Sequence, residues 1–261
     1  IWLGTLSGYE GSRAYGVSKD GSVVVGKAFK FFSSRAFRWT EKEGMRDLGT
    51  FGGFFPSSSA YGVSADGSVV VGGSGSRAFR WTEKEGMKDL GTLGGLLPSS
   101  CAYGVSADGS VVVGEASVDF WYHAFRWTEK EGMRDLGTGC AYGVSADGSV
   151  VVGESGLRAF RWTEKEGMKD LGTRGDYFFG CAYGVSADGS VVVGEADLCA
   201  FRWTEKRGME NLNETYAHLL TKGSRLISAG AVSPDGRYIV GYGYNSKTRR
   251  YEAFLLDTVQ P

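Results

Sequence analysis

The sequence predicts an all-β fold, a six-bladed β-propeller of four-stranded antiparallel blades. Two observations carry this. A block typified by Ala102–Gly137 recurs, and its Asp-Gly pair falls at Asp20, Asp66, Asp108, Asp147, Asp188 and Asp235, at intervals of 46, 42, 39, 41 and 47 residues. Each copy also holds four short apolar segments separated by turn residues, with no long helical period between them, and such a unit repeated about every 40 residues is the pattern of propeller blades.

The elements follow in order within a copy. AYGVS and SVVVG are strands joined by a turn centred on Asp-Gly, a pair that type I′ hairpins favour because glycine accepts positive φ. AFRWT is the third strand, with Phe and Trp two apart on one face, and TEKEG turns the chain into a fourth, MRDLG. The unbroken valines of SVVVG and the recurring rings Phe37/Trp39, Phe79/Trp81, Phe125/Trp127, Phe160/Trp162 and Phe201/Trp203 fit a core between blades better than a carbohydrate ladder. With Glu41–Gly44 as a four-residue turn, Arg38 is expected opposite Asp47, and likewise Arg80 and Asp89, Arg126 and Asp135, Arg161 and Asp170, and Arg202 and Asn211.

One domain is expected, with blades at about 14–50, 60–92, 102–138, 141–173, 182–213 and 229–257. Residues 1–6 match a fourth strand, Leu3-Gly4-Thr5 aligning with Leu48-Gly49-Thr50, while the last copy stops after three. The two ends are therefore expected to share one blade, with Trp2 opposite Leu255, which would remove free sheet edges. Asn213, an acidic first turn and Gly223 after Lys222 predict a short helix over about 214–222. The chain opens in mid-blade without a signal peptide, so it reads as a mature or trimmed piece.

Composition excludes several classes. A net charge of −1 offers no basic face for nucleic acid, and no apolar run is long enough to insert in a membrane. Cys101, Cys140 and Cys181 occupy one place in successive copies, where neighbouring blades hold them too far apart for a disulfide. Free, partly buried thiols are the expected state; a soft-metal ring is the alternative, on a spacing that belongs to the repeat and not to a ligand motif, and no metal or cofactor is expected. The Asp-Gly turns lack the alternating oxygens of a calcium loop. His123 and His218, the two histidines, sit in no Ser-His-acid order, so no catalytic residues are assigned.

Variation between copies is confined to one end of each blade. The two turns SADGS and TEKEGM scarcely change, whereas the loops between strands two and three, and those between blades, differ in length and content. Of the 15 phenylalanines, six are the core positions and nine fall in these variable segments. The candidate ligand-binding residues are therefore Phe31, Phe32, Phe54, Phe55, Asp119, Phe120, Trp121, Tyr122, Asp176, Tyr177, Phe178 and Phe179. Such rings either pack inward as a lid or present an apolar surface.

The run AYGVSADGSVVVG followed by AFRWTEKEGM and DLGT resembles the bacterial HAF-repeat proteins, repeats found in autotransporter passenger regions. The resemblance spans the whole chain, strongest in the first five copies. The name triplet appears once, as His123-Ala124-Phe125, with Arg35, Arg77, Arg158, Cys199 and Glu252 in the His place elsewhere, which argues against a shared histidine chemistry. The resemblance implies a secreted or cell-surface location. The reading that results is a non-catalytic, adhesin-like recognition module for a glycan or a protein surface. A propeller enzyme acting on polysaccharide through Asp119 and Asp176 is the alternative from another class. A structural or self-associating spacer is the third, favoured if the loop rings are buried.

Overall fold

The structure, a computed structural model, describes residues 1–52, 56–172 and 179–259. It is a β-propeller fold of six blades. The first blade is β1 (Gly11–Val17), β2 (Val23–Lys30), β3 (Ser33–Thr40) and β4 (Gly44–Asp47), and the second β5 (Ser58–Val63), β6 (Val69–Ser74), β7 (Arg77–Thr82) and β8 (Gly86–Asp89). The third is β9 (Ser100–Val105), β10 (Val111–Val118), β11 (Trp121–Thr128) and β12 (Gly132–Thr138), and the fourth β13 (Cys140–Val144), β14 (Val150–Ser155), β15 (Arg158–Thr163) and β16 (Gly167–Asp170). The fifth is β17 (Gly180–Val185), β18 (Val191–Ala196), β19 (Cys199–Thr204) and β20 (Gly208–Asn211), and the last holds β21 (Arg225–Val232), β22 (Tyr238–Asn245) and β23 (Arg250–Asp257). Every sheet is an antiparallel meander in chain order. The chain divides into two compact units of three blades each, Ile1–Thr138 and Gly139–Pro261.

Blades pack face to face within each unit. In the first, Val23, Val25, Ala36 and Leu48 of one blade meet Ala60, Val70, Phe79 and Trp81 of the next, and Val69, Val71, Ala78 and Leu90 meet Ala102, Val112, Phe125 and Trp127. In the second, Val150, Val152 and Leu171 meet Val192, Phe201 and Trp203. The recurring Phe and Trp are thus core residues. A backbone rung also links the inner turns: the Lys19 N–H donates to the Ala65 carbonyl and the Ala65 N–H to that of Ala107, and in the second unit Ala146 donates to Ala187 and Ala187 to Pro234.

The first strand of a blade is bulged at its tyrosine. Register shifts between Ala14 and Gly16, Ala60 and Gly62, and Ala141 and Gly143 place a bulge at Tyr15, Tyr61 and Tyr142, and the rings stack between blades, Tyr15 on Tyr61 at 5.4 Å and Tyr142 on Tyr183 at 5.8 Å. The bulge brings strand one so close to strand two that only glycine fits opposite: a Cβ on Gly72 would lie 2.0 Å from the Ser59 carbonyl oxygen.

The Asp-Gly hairpin is a different turn from the one expected. Gly21 lies at φ +76° but Asp20 is not left-handed, and the Gly21 N–H bonds the Ser18 carbonyl, so a turn over Ser18–Gly21 ends in a left-handed glycine. The aspartate is free to act as a hub. Asp108 Oδ1 accepts from the Ser106 hydroxyl at 2.7 Å, the Ser110 N–H at 2.9 Å and the Ser110 hydroxyl at 2.8 Å, and the pattern repeats at Asp20, Asp66, Asp147 and Asp188. These bonds favour the carboxylate, holding Asp20 down from 3.8 to about 2, with the backbone N–H of Ser22 the largest cause, and all the others below their ordinary value. A folded-state pKa below the unfolded one contributes stability that is present above the unfolded value and lost as pH falls through the folded one. The melting temperature is therefore expected to be level at neutral pH and to drop as pH falls from 3.8 toward about 2. Asp108→Asn, measured by thermal scans across that window, is expected to lower stability at neutral pH and to shrink the acid-induced drop.

The second turn corrects the register of the fourth strand. Thr40 pairs with Gly44, Arg38 with Arg46 and Phe37 with Asp47, one residue off the expected Arg38–Asp47 match, because Gly44 at φ +69° absorbs the last turn position into the ladder. Arg38 instead reaches the next blade, donating to the Gly67 carbonyl at 3.2 Å, as Arg80 does to Gly109 and Arg161 to Gly189. Strand-four aspartates pair with the residue two before the core Phe: Arg35 with Asp47, Arg77 with Asp89 at 2.7 Å, His123 with Asp135 at 2.9 Å and Arg158 with Asp170 at 2.9 Å. In the first four blades the variable His place therefore carries the cross-strand partner of the strand-four aspartate.

Two further expectations differ. The helix is shorter than 214–222: α1 (Leu212–Thr215) is capped by Asn211, whose Oδ1 accepts the Asn213 N–H at 2.9 Å, and a 3₁₀ turn at Ala217–Leu219 follows. The last sheet has three strands, and residues 1–6 form none. Ile1 and Trp2 are fully exposed, while Thr5 and Gly4 are tied to the first blade by hydrogen bonds to Gly11 and from Ser12.

Candidate functional site

The constant end of each blade is built from the hub turns and from links between blades. Arg46 bonds Glu83 of the next blade at 2.6 Å and lies 5.5 Å from the Trp81 ring centre; Lys88 reaches Glu129 and stacks over Trp127 in the same way. These residues hold one blade to the next at both junctions of the first unit.

At the opposite end the hairpins differ in length. In the second blade β6 and β7 separate after Ser74–Arg77, leaving Gly75-Ser76 as the tip. In the first and third blades the ladder runs two pairs further, to Lys30–Ser33 and Val118–Trp121, placing Phe31-Phe32 and Asp119-Phe120 at the tips. Two added pairs project these tips by roughly 7 Å at about 3.4 Å per residue. The two long hairpins flank the short one of the second blade, and this makes a saddle with apolar horns.

Within the first unit the structure places the expected residues on that saddle. Phe31 and Phe32 are 86% and 78% exposed and meet edge to face at 4.6 Å; Phe120, Trp121 and Tyr122 are 82%, 70% and 55% exposed. They form a surface and no lid. In the second unit Phe179 is half-exposed beside the hairpin tip Asp197-Leu198. Phe54, Phe55, Asp176, Tyr177 and Phe178 lie outside the described residues.

Asp119 has a structural task. It sits at φ +55° at the tip, and its Oδ1 accepts the Leu96 N–H at 3.4 Å; Ser117 accepts the Ser99 N–H at 2.8 Å. The third-blade hairpin and the preceding connection are thereby fastened into one platform, and Asp197 holds the Phe179 N–H in the same way. Leu96 and Leu97, both well exposed, extend the apolar surface. They were absent from the sequence-based set although LGGLLP aligns with FGGFFP, which places them where Phe54 and Phe55 stand. Among charged residues near these loops, Lys30 packs over the Tyr9 ring at 4.8 Å and Glu115 accepts from the Tyr103 hydroxyl at 2.9 Å.

The cysteines are all free thiols. Burial pushes Cys101 up to about 12 and Cys181 to about 11, so both are protonated and unreactive near neutral pH. In the second unit a cleft of about 190 Å³ opens between the 3₁₀ turn and the last hairpin, lined by Leu219, Arg225, Tyr244, Asn245 and Glu252. That is below the usual size of a small-molecule pocket, and Glu252 is engaged by Thr248 and Asn245. No sequence signal marked it.

No family model matches the chain, and no curated protein does. Solved structures do. TolB from Acinetobacter baumannii is similar at 14% identity and a TM-score of 0.56, over 97% of this chain and 63% of that one. An oligogalacturonate lyase in complex with manganese is similar at 14% identity and 0.55, over 90% and 74%, and a putative TolB from Agrobacterium tumefaciens at 15% and 0.54, over 95% and 90%. This chain thus spans less than two thirds of the Acinetobacter protein's length. At such identities the likeness is one of fold alone, and the fold that it shows is the β-propeller.

Proposed function

We propose that the protein is a non-catalytic recognition module that binds a glycan or a protein surface through the saddle of its first unit. One observation carries this reading: Phe120, Trp121 and Tyr122 stand exposed at the end of a lengthened hairpin that the chain fastens to its neighbour through Asp119 and Ser117. Aromatic groups held rigidly in water cost little entropy to desolvate and supply most of the binding energy where they become buried. Phe31, Phe32, Leu96 and Leu97 add area around them. The resemblance to HAF repeats supports a secreted or cell-surface setting, where such partners are met.

Glycan and extracellular-protein arrays test the proposal. The protein is expected to bind a subset of targets, and the triple variant Phe120→Ala, Trp121→Ala, Tyr122→Ala to lose at least about tenfold in affinity to each, since desolvated anchors contribute at least about 2 kcal/mol. Binding that survives the triple change, or no binding by either protein, would remove the saddle as the recognition surface.

A further inference from the structure

Repetition shows what a blade needs, so departures from the repeat that meet at one place ask for a use of their own. Three meet in the second unit. The connection into the last blade carries α1 and the 3₁₀ turn Ala217–Leu219, and among the described residues it alone is helical. The place that holds Arg35, Arg77, His123, Arg158 or Cys199 in the other blades holds a carboxylate here, Glu252. Its cross-strand partner is Gly243, where the other blades have Ala28, Ser74, Ala116, Ser155 or Ala196. Leu219 of the 3₁₀ turn, Gly243 and Glu252 all line the cleft of about 190 Å³.

The cleft has an apolar wall and an anionic group. Leu219 is exposed beside Leu220. Phe254 takes the place of the core phenylalanines but is only half-buried, whereas Phe37, Phe79, Phe125, Phe160 and Phe201 are enclosed. Gly243 admits no side chain, since a Cβ would lie 2.2 Å from the Arg225 carbonyl oxygen, so the place opposite Glu252 on β22 stays open. Thr248 donates to Glu252 Oε1 at 2.6 Å and Asn245 to Oε2 at 2.8 Å. These two bonds, Thr248 first, hold the carboxyl below its ordinary value, so it is charged at neutral pH. Both donors are neutral, and each oxygen keeps a second acceptor site. The cations nearby are placed elsewhere: Arg225 donates to the Asp197 carbonyl at 3.4 Å and to the Cys199 sulfur at 3.1 Å in the fifth blade, and Arg250 is exposed where the hairpin ladder ends.

We propose that this cleft binds a primary ammonium carried on a short alkyl stem, with the stem along Leu219, Leu220 and Phe254 and the ammonium on Glu252. Bracing the hairpin tip through Thr248 and Asn245 asks only for a polar side chain of this length. The negative charge is left over from that task, and it stands beside an apolar wall. A carboxylate there favours a cation that brings its own donors, and the wall favours one with an apolar stem. A compact ammonium on a flexible four-carbon stem suits a cleft of this size better than the broader planar guanidinium. Such a group ends a lysine side chain and equally a free aliphatic amine.

Amide chemical shifts of the full chain, followed by NMR, test this with three probes: Nα-acetyl-L-lysine amide, butylamine and the uncharged Nα-acetyl-L-norleucine amide. The two ammonium probes are expected to shift Gly243, Asn245 and Ala253 with a dissociation constant of about 1 mM or tighter, and the norleucine probe to bind at least about tenfold more weakly. Glu252→Gln keeps the length and polarity of the side chain and is expected to lose at least about tenfold toward the ammonium probes, with circular dichroism unchanged. Leu219→Trp, which adds bulk on the exposed rim, is expected to weaken them as well. Tighter binding of the lysine probe than of butylamine assigns the ammonium to a protein partner, and the reverse order assigns it to a free amine. The triple Ala variant at the saddle is expected to bind all three probes as the unchanged protein does, so this inference and the recognition reading fail separately. Equal binding of the norleucine and lysine probes, binding that Glu252→Gln leaves intact, or no shift up to about 10 mM would overturn the proposal.

Discussion

Gly114→Ala is expected to destabilise the protein by more than about 4 kcal/mol, enough to leave much of it unfolded at room temperature. The added Cβ would lie 2.0 Å from the Cys101 carbonyl oxygen and 2.9 Å from the Ala102 Cα. Both are backbone atoms of the bulged strand β9, so no side chain can swing aside to relieve the contact. The strands must part, and the bulge that aims Tyr103 at its stacking partner Tyr61 parts with them. Gly132 in the same blade is the control. It lies at φ +71° with nothing within 4 Å of its would-be Cβ, so Gly132→Ala meets only the left-handed penalty of about 1–2 kcal/mol. Urea unfolding of the two variants is expected to separate them by at least about 2 kcal/mol, and similar midpoints would mean that strand one yields where the structure holds it fixed.

Phe125→Ala is expected to cost about 3–5 kcal/mol, the range for emptying a fully enclosed aromatic site. Phe125 has no exposed surface and is packed with Val69, Val71, Leu90, Val112 and Trp127 between the second and third blades. Neighbouring blades close on it from both sides, and their backbones are pinned by the Ala65 to Ala107 rung, so the cavity has little freedom to collapse. Trp121→Ala, four residues away on the same strand, should change the unfolding free energy by less than about 0.5 kcal/mol because its ring is already in water. The pair separates the two roles that aromatic residues play in this chain. If Trp121→Ala proved as costly as Phe125→Ala, the exposed ring would be part of a folded core and not of a recognition surface.

What could be seen in the residues was set by repetition. Six Asp-Gly pairs fix the number of blades, and Phe37, Phe79, Phe125, Phe160 and Phe201 declare themselves as core because every copy has them. Register was harder to see. Whether TEKEG spans four turn residues or three depends on the φ of Gly44, and composition carries no sign of that, so Arg38 was matched to Asp47 when it reaches across to Gly67. The ion pair of Arg77 with Asp89 and the contact of His123 with Asp135 follow once the register is known, since these pairs then lie along one face. The helix expected over 214–222 starts and ends early because Asn211, two residues before the expected cap Asn213, supplies the cap, and Tyr216 leaves the α geometry at φ −117°.

The candidate site was legible as a set of exposed rings and illegible as a shape. Phe31, Phe32, Phe120, Trp121 and Tyr122 stand out by composition alone. That their hairpins are two pairs longer than the one between them depends on strand pairing, and that Asp119 fastens the platform depends on a left-handed turn residue. Leu96 and Leu97 carry no aromatic signal, and only the alignment of LGGLLP with FGGFFP marks them in the sequence.

The backbone rung between blades bears on how such a protein changes over generations. Lys19, Ala65 and Ala107 are joined by main-chain atoms, so the bond does not depend on which side chains occupy those places. The second to fifth copies also share SADGSVVVG without a difference. A crossover inside that segment joins the front of one copy to the back of another and keeps every rung and hub turn, while the loops that follow are exchanged as a cassette. Unequal crossovers at the same place add or remove a whole blade. The invariant end is thus a seam for recombination, and new combinations of long and short hairpins arise at the other end without any new core having to be made.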